Sequence, residues 1–444
     1  MSTLIAFLVA LAILIAVHEW GHFWVARRCG VKVLRFSLGF GPVLFSRRDK
    51  QGTEFSLSAI PLGGYVRFVD QRDPDYDAAD EAVSYNRRPV WQRMAIVSAG
   101  PLANFILAIL LYAVINLQGV STFSPIAGQP YPDSFLAQQG LQPGDLIVAI
   151  DHQPVEDWRE LSLNLANRLG TSGELHIAWL DAQGQRQEAV KPLDRWLSRE
   201  RDPDPMQVIG LRTWNQAPPA VLGELVEGGA AQQAGLQQGD QIISFAQQPV
   251  DDWGHLLGLM SNNEQSNVEL QVMRQGLIWP YQLELQPSDG RLLMGAQLQV
   301  PQAILDSRQM ASVGTVEAVQ LAVSDTLELI SLSLRFIVRM VSGNLSVQNL
   351  SGPVTIAQLA GESASYGWIS FLSFLAFISI SLGIVNLLPL PVLDGGHLVL
   401  LAAEGIRGRP MSERFEQAYA FLGTVLLLAL MSFAIINDFF RLFS

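Results

Sequence analysis

The chain has 444 residues, 49% of them hydrophobic and only 16% charged, with a formal net charge of −12 and a mean hydropathy of +0.24. This excludes a disordered chain and argues against a fully soluble one, in which about 25% of residues are usually charged. The acidic balance argues against an unaided nucleic-acid binder. Cys29 is the only cysteine, so neither an intramolecular disulfide nor a cysteine-rich zinc site can form.

Four apolar stretches are long enough to cross a bilayer, which takes ~20 residues. They run over about 4–26, 94–117, 369–393 and 419–440. The first has no Lys or Arg in residues 1–17 and no small-x-small site after its apolar part, so it is expected to stay as a span and not to be cleaved as a signal peptide. It ends in Val17-His18-Glu19-Trp20-Gly21-His22. On a helix, positions i and i+4 share a face, so both histidines can point at one metal ion with Glu19 beside them as a base. Ionisable groups inside an apolar span are costly and call for a partner or a task.

Between the first two spans, segment 33–69 has the composition of strands and turns, with Gly39-Phe40-Gly41 and Gly63-Gly64-Tyr65-Val66. That loop carries twelve Lys and Arg, from Arg27 to Arg93, and the loop between the last two spans carries Arg407, Arg409 and Arg414. The positive-inside rule puts both loops in the cytoplasm, and the termini and the central segment outside.

The polar segment 118–309 repeats itself. Gly140-Leu141-Gln142-Pro143-Gly144-Asp145 matches Gly235-Leu236-Gln237-Gln238-Gly239-Asp240, and Gln153-Pro154-Val155 matches Gln248-Pro249-Val250, with a constant shift of about 95 residues, the size of one small domain. The Gly-Leu-x-x-Gly-Asp pattern before a strand resembles PDZ domains of the protease-associated type, which bind peptides at a sheet edge or serve as spacers and steric filters. A fifth apolar stretch, 316–340, contains Glu317, Asp325, Glu328, Arg335 and Arg339. Charges at a bilayer centre are too costly, so an amphipathic surface helix is expected.

The metal needs a third protein ligand. The candidate lies at the end of the third span, in Asn386-Leu387-Leu388-Pro389-Leu390-Pro391-Val392-Leu393-Asp394-Gly395-Gly396-His397, where two prolines break the helix. Asp394 is the obvious carboxylate, and spacing alone leaves His397 open. At ~1.5 Å per residue, His18 lies toward the inner side of its span, as does Asp394 of the third.

An intramembrane His-Glu-x-x-His, a distant Leu-Asp-Gly and tandem PDZ-like repeats together resemble the site-2 protease family. The resemblance covers essentially the whole chain. It implies a polytopic α-helical membrane protein with four transmembrane helices, a membrane-associated β-hairpin and two periplasmic PDZ domains. The expected divisions are 1–117, 118–208, 209–305, 306–366 (amphipathic helices on the periplasmic side) and 367–444. It also implies one Zn2+ held by His18, His22 and Asp394, with Glu19 as catalytic base. Gly100-Pro101-Leu102-Ala103-Asn104 resembles the family's Gly-Pro-x-x-Asn element. Asn386 resembles its substrate-contacting asparagine, although the spacing to Asp394 is slightly longer here. The hairpin of such enzymes pairs with an unwound substrate, so Asn386, Asn104, Gly63, Gly64 and Tyr65 are expected to bind substrate. Segment 349–354 resembles membrane-surface helices that gate substrate access. Such a protein would sit in the inner membrane of a Gram-negative cell and cut single-span proteins within the bilayer. Those substrates include an anti-sigma factor in envelope stress signalling and remnant signal peptides. No nucleic-acid partner is expected. The competing reading is a PDZ-bearing membrane scaffold with a structural or inactive metal site; a metal transporter would want more polar residues along the spans.

Overall fold

A computed structural model describes residues 2–72, 76–181, 183–213, 220–250, 253–261, 263, 265–274, 276–288, 291–298, 308–311, 313–349 and 352–443. The chain forms two compact units. One comprises Met1–Val120, Ser198–Asp202 and Ala311–Ser444, the other Ser121–Leu197 and Pro203–Met310.

Among the described residues, the first unit holds four helices long and apolar enough to cross a membrane: Thr3–Arg28, Val90–Leu117, Trp368–Leu387 and Glu413–Phe440. Helix α1 (Ser2–Arg28) leads into strands β1 (Val33–Arg48) and β2 (Glu54–Phe68), and then helix α2 (Val90–Leu117). Helix α2 packs against α1, Trp368–Leu387 and Thr315–Val341. The charged fifth stretch forms Thr315–Val341, whose buried residues Ala318, Ala322, Thr326, Leu329 and Leu332 recur at helical spacing as one stripe.

The third apolar stretch does not run to residue 393 as one helix. It stops at Leu387, Leu388 turns extended, and a separate helix starts at Asp394. Pro389 and Pro391 lack backbone donors and bias the preceding residues away from helix.

The segment between α1 and α2 is more than a simple hairpin. Residues 33–38 pair with 64–68 on one side and 54–57 on the other, while 43–48 pair with 54–58. The long hairpin therefore folds over into a small sheet with 64–68 as an outer segment. A cluster of Phe23, Val31, Val33, Phe36 and Ile96 fixes it against α1 and α2.

Of segment 349–354, residues 350 and 351 lie outside the described residues. The following helix, Pro353–Ser365, is capped from the last helix. Asp438 accepts from the backbone N–H of Gly352 at 2.9 Å and Val354 at 2.8 Å, and from Thr355 Oγ1 at 2.6 Å. A carboxylate there satisfies donors that the helix start leaves unpaired.

In the second unit the sequence repeat is a structural repeat. Strands Leu146–Ile150, Gln153–Pro154, Gly173–Leu180 and Arg186–Leu193 form one four-stranded sheet. Gln241–Phe245, Gln248–Pro249, Asn267–Arg274 and Leu277–Glu284 form another in the same order. Asp145 and Asp240 are both buried, and each accepts from the backbone N–H three residues earlier at 2.8 Å. Gly144 and Gly239 take φ of 99° and 92°, a conformation that costs glycine little. The shift is not constant, however. Ala149 pairs with Ala178 while Ser244 pairs with Gln271, so 95 becomes 93 after a shortened connection.

Candidate metal centre

His18 and His22 stand one turn apart on α1, with Nε2 atoms 3.3 Å apart. Asp394 Oδ2 lies 3.2 Å from His18 Nε2 and 3.5 Å from His22 Nε2. Tetrahedral zinc with bonds of ~2.0–2.1 Å holds its ligands ~3.3 Å apart, so these three atoms make one face of such a site. His22 Nδ1 donates to the Ile96 carbonyl at 2.8 Å, which leaves a lone pair on Nε2. Asp394 Oδ2 is buried without a hydrogen-bond donor. Converging lone pairs in a buried place want a cation, and two imidazoles with one carboxylate suit zinc. The donor set and its spacing thus fit the ion, with room for one further ligand.

Asn104 stands behind His18. It is fully buried, its side-chain amide lies 3.2 Å from His18 Nδ1, and Ser379 Oγ donates to its backbone carbonyl at 2.8 Å. Asn104 Oδ1 is buried without a partner. Turning the amide end for end lets that oxygen accept from His18 Nδ1–H, which pairs it and leaves the lone pair of Nε2 for the metal. Asn104 is buried against the back of His18 and is not among the residues that line the cleft, where substrate contact was expected. Gly100 and Asn104 are one turn apart on α2, so their spacing already marked one face turned toward α1.

Asp394 begins its helix after strained backbone. Val392 has φ of 79°, an outlier for a β-branched residue of the kind that collects at functional sites. A β-carbon on Gly395 would meet the Leu388 carbonyl at 2.1 Å, and one on Gly396 the Leu390 carbonyl at 2.3 Å. The two glycines let the helix start fold back on the proline segment. Further along that helix, Glu404 is paired with Arg93 of α2, with Nη1 to Oε2 at 3.0 Å. Nothing in the linear sequence signals that tether.

A cleft of about 830 Å³ opens on the site. Glu19, Asn386, His397, Gly63, Gly64 and Tyr65 line it with His18, His22 and Asp394. His397 lies in the same cleft, but the group whose ligand atoms converge is His18, His22 and Asp394. Gly64 is where the outer sheet segment crosses α1. A β-carbon there would meet Ile15 Cγ2 at 2.8 Å and Glu19 Cγ at 2.9 Å. Tyr65 stacks on Phe40 with ring centroids 6.1 Å apart.

A family profile, Peptidase family M50, matches residues 6–430. The chain is 39% identical to the regulator of sigma E protease of Salmonella typhi, over 99% of this chain and 98% of that protein. It is 38% identical to the regulator of sigma-E protease RseP of Escherichia coli (strain K12), with the same two coverages. A Pasteurella multocida protein provisionally named a zinc metalloprotease is also 38% identical, over 98% of each chain.

Proposed function

The chain belongs to peptidase family M50, and on that premise we propose that it is an intramembrane zinc endopeptidase that cuts the membrane segments of single-span proteins. The observation that carries this reading is the triangle of buried His18 and His22 with half-buried Asp394, and Glu19 on the same cleft. When bound, zinc supplies a Lewis acid that polarises the scissile carbonyl and makes water nucleophilic near neutral pH. Glu19 takes the proton as water attacks the carbonyl carbon, then delivers it to the departing amide nitrogen. Asp394 and the two imidazoles hold the metal, and Asn104 and the Ile96 carbonyl fix the two rings.

A helical substrate shields its peptide bonds with its own hydrogen bonds. Unwinding it in hydrocarbon is costly unless new partners are supplied. The outer segment 64–68 beside the cleft can supply them by strand addition, with Gly63 and Gly64 giving clearance and Tyr65 and Asn386 contacting the extended chain. The repeats are then tandem PDZ domains on the periplasmic side, as the basic loops orient the chain. They select substrates already trimmed there, such as an anti-sigma factor of envelope stress signalling or remnant signal peptides.

The test uses purified full-length protein in detergent with single-span substrates, with and without a zinc chelator. Glu19→Gln is expected to keep about one zinc per chain and yield no product, because the isosteric amide leaves the ligands but removes the proton acceptor. Cleavage by this variant near the wild-type rate would remove Glu19 from the mechanism. Cleavage that survives full zinc removal would overturn the reading as a whole.

A further inference from the structure

His152, His176 and Glu188 on the first repeat present ligand atoms that all lie within 4.8 Å of one another. Glu188 Oε1 is 3.0 Å from His176 Nδ1 and 3.9 Å from His152 Nδ1, and the imidazole centroids are 4.5 Å apart. Three separate pieces of chain supply them. Glu188 pairs across the sheet with Ala178, two residues from His176, so both side chains rise from one face as diagonal neighbours. His152 comes from the tight turn before Gln153–Pro154, where Asp151 and His152 have φ of 48° and 62°.

The repeat fold does not require these residues. The second repeat makes the same turn with Ala246 and Gln247 at φ of 46° and 64°. Its strand pairing puts Glu269 where His176 stands, and Pro280 where Glu188 stands. One scaffold thus carries two imidazoles and a carboxylate where its twin has Gln247, Glu269 and Pro280.

We propose that His152, His176 and Glu188 form a second metal site, separate from the one on α1, for a divalent imidazole-preferring ion of the Zn2+ class. Two histidines and a carboxylate suit zinc, nickel or copper and not magnesium or calcium. Tetrahedral coordination needs ligand atoms ~3.3 Å apart. The His152 side chain, 66% exposed, has room to rotate inward and close the remaining gap. Glu174 Oε2, 3.6 Å from His176 Nε2, faces the ring nitrogen away from the metal, where a carboxylate favours the tautomer that leaves Nδ1 for coordination. A bound ion would clamp the turn to the sheet and stabilise the folded repeat by mass action.

The experiment is equilibrium dialysis of the full-length protein in detergent against Zn2+ alone, with metal counted per chain. Two equivalents are expected, a tight one and a weaker one. His152→Asn, which tolerates the left-handed turn, and Glu188→Gln should each weaken only the second by about tenfold or more. The tight equivalent and proteolysis should be unchanged. Saturation of the wild type at one equivalent overturns the site, as does a second equivalent that neither variant weakens. The same results would leave His176 and Glu188 as a plain hydrogen-bonded pair.

Discussion

A β-carbon on Gly100 would stand 2.3 Å from His22 Nε2 and 2.8 Å from His18 Cε1. Helix α2 therefore reaches His18 and His22 only because position 100 has no side chain. Gly100→Ala is expected to insert and fold, since alanine suits a helix interior, but to push the imidazoles out of register. Zinc per chain should fall well below one, and cleavage by at least about a hundredfold. Metal analysis beside far-ultraviolet circular dichroism checks this; full zinc with normal turnover would mean the rings have another arrangement.

Asp394 and His397 lie on one short helix, yet only Asp394 Oδ2 joins the two histidines. Asp394→Ala should lower zinc content and activity together, because two imidazoles alone hold the ion weakly. His397→Ala should retain most of both. The reverse pattern in paired metal and activity assays would show that the shell is drawn wrongly.

Asn104 makes a sharper test, because its two natural replacements separate geometry from packing. Asn104→Asp keeps an oxygen for His18 Nδ1–H, whereas Asn104→Leu fills the space without an acceptor. The leucine variant should bind zinc about 10–100-fold more weakly, as loss of a partner behind a ligand usually does, and the aspartate variant should stay much nearer the wild type. Competition with a chelator of known affinity measures both. Equal losses would reduce Asn104 to a packing residue.

Removal of the repeats should leave hydrolysis intact, because every proposed chemical residue belongs to the other unit. Segment Ser198–Asp202 needs to be spared: Arg201 donates to the Asn437 carbonyl at 2.9 Å, and Asp202 N–H to Asn349 Oδ1 at 2.9 Å. A variant lacking 121–197 and 203–310, with short linkers, is expected to cut substrates that still carry a bulky outer domain as well as trimmed ones. Compared at matched zinc loading, a folded variant that still refuses untrimmed substrate would favour peptide docking over exclusion.

The sequence by itself determined the four apolar spans, the His-Glu-x-x-His face on the first of them, and the twofold repeat in the middle. Each is written in local periodicity, in which a run of apolar residues or an i, i+4 pair has one cheap geometry. It also carried the proline break before Asp394, although the break splits the third stretch in two. Tertiary structure alone brought Asp394 Oδ2, and not His397, beside the two histidines, because that placement depends on how the helix start folds back over Leu388 and Leu390. It moved Asn104 from the cleft to the back of His18, and it brought Arg93 to Glu404 and Asp438 to the start of Pro353–Ser365. These partners are far apart in sequence and obey no period. What brings them together is the burial of polar groups that must find a mate once water is excluded, and only the folded chain supplies the mate.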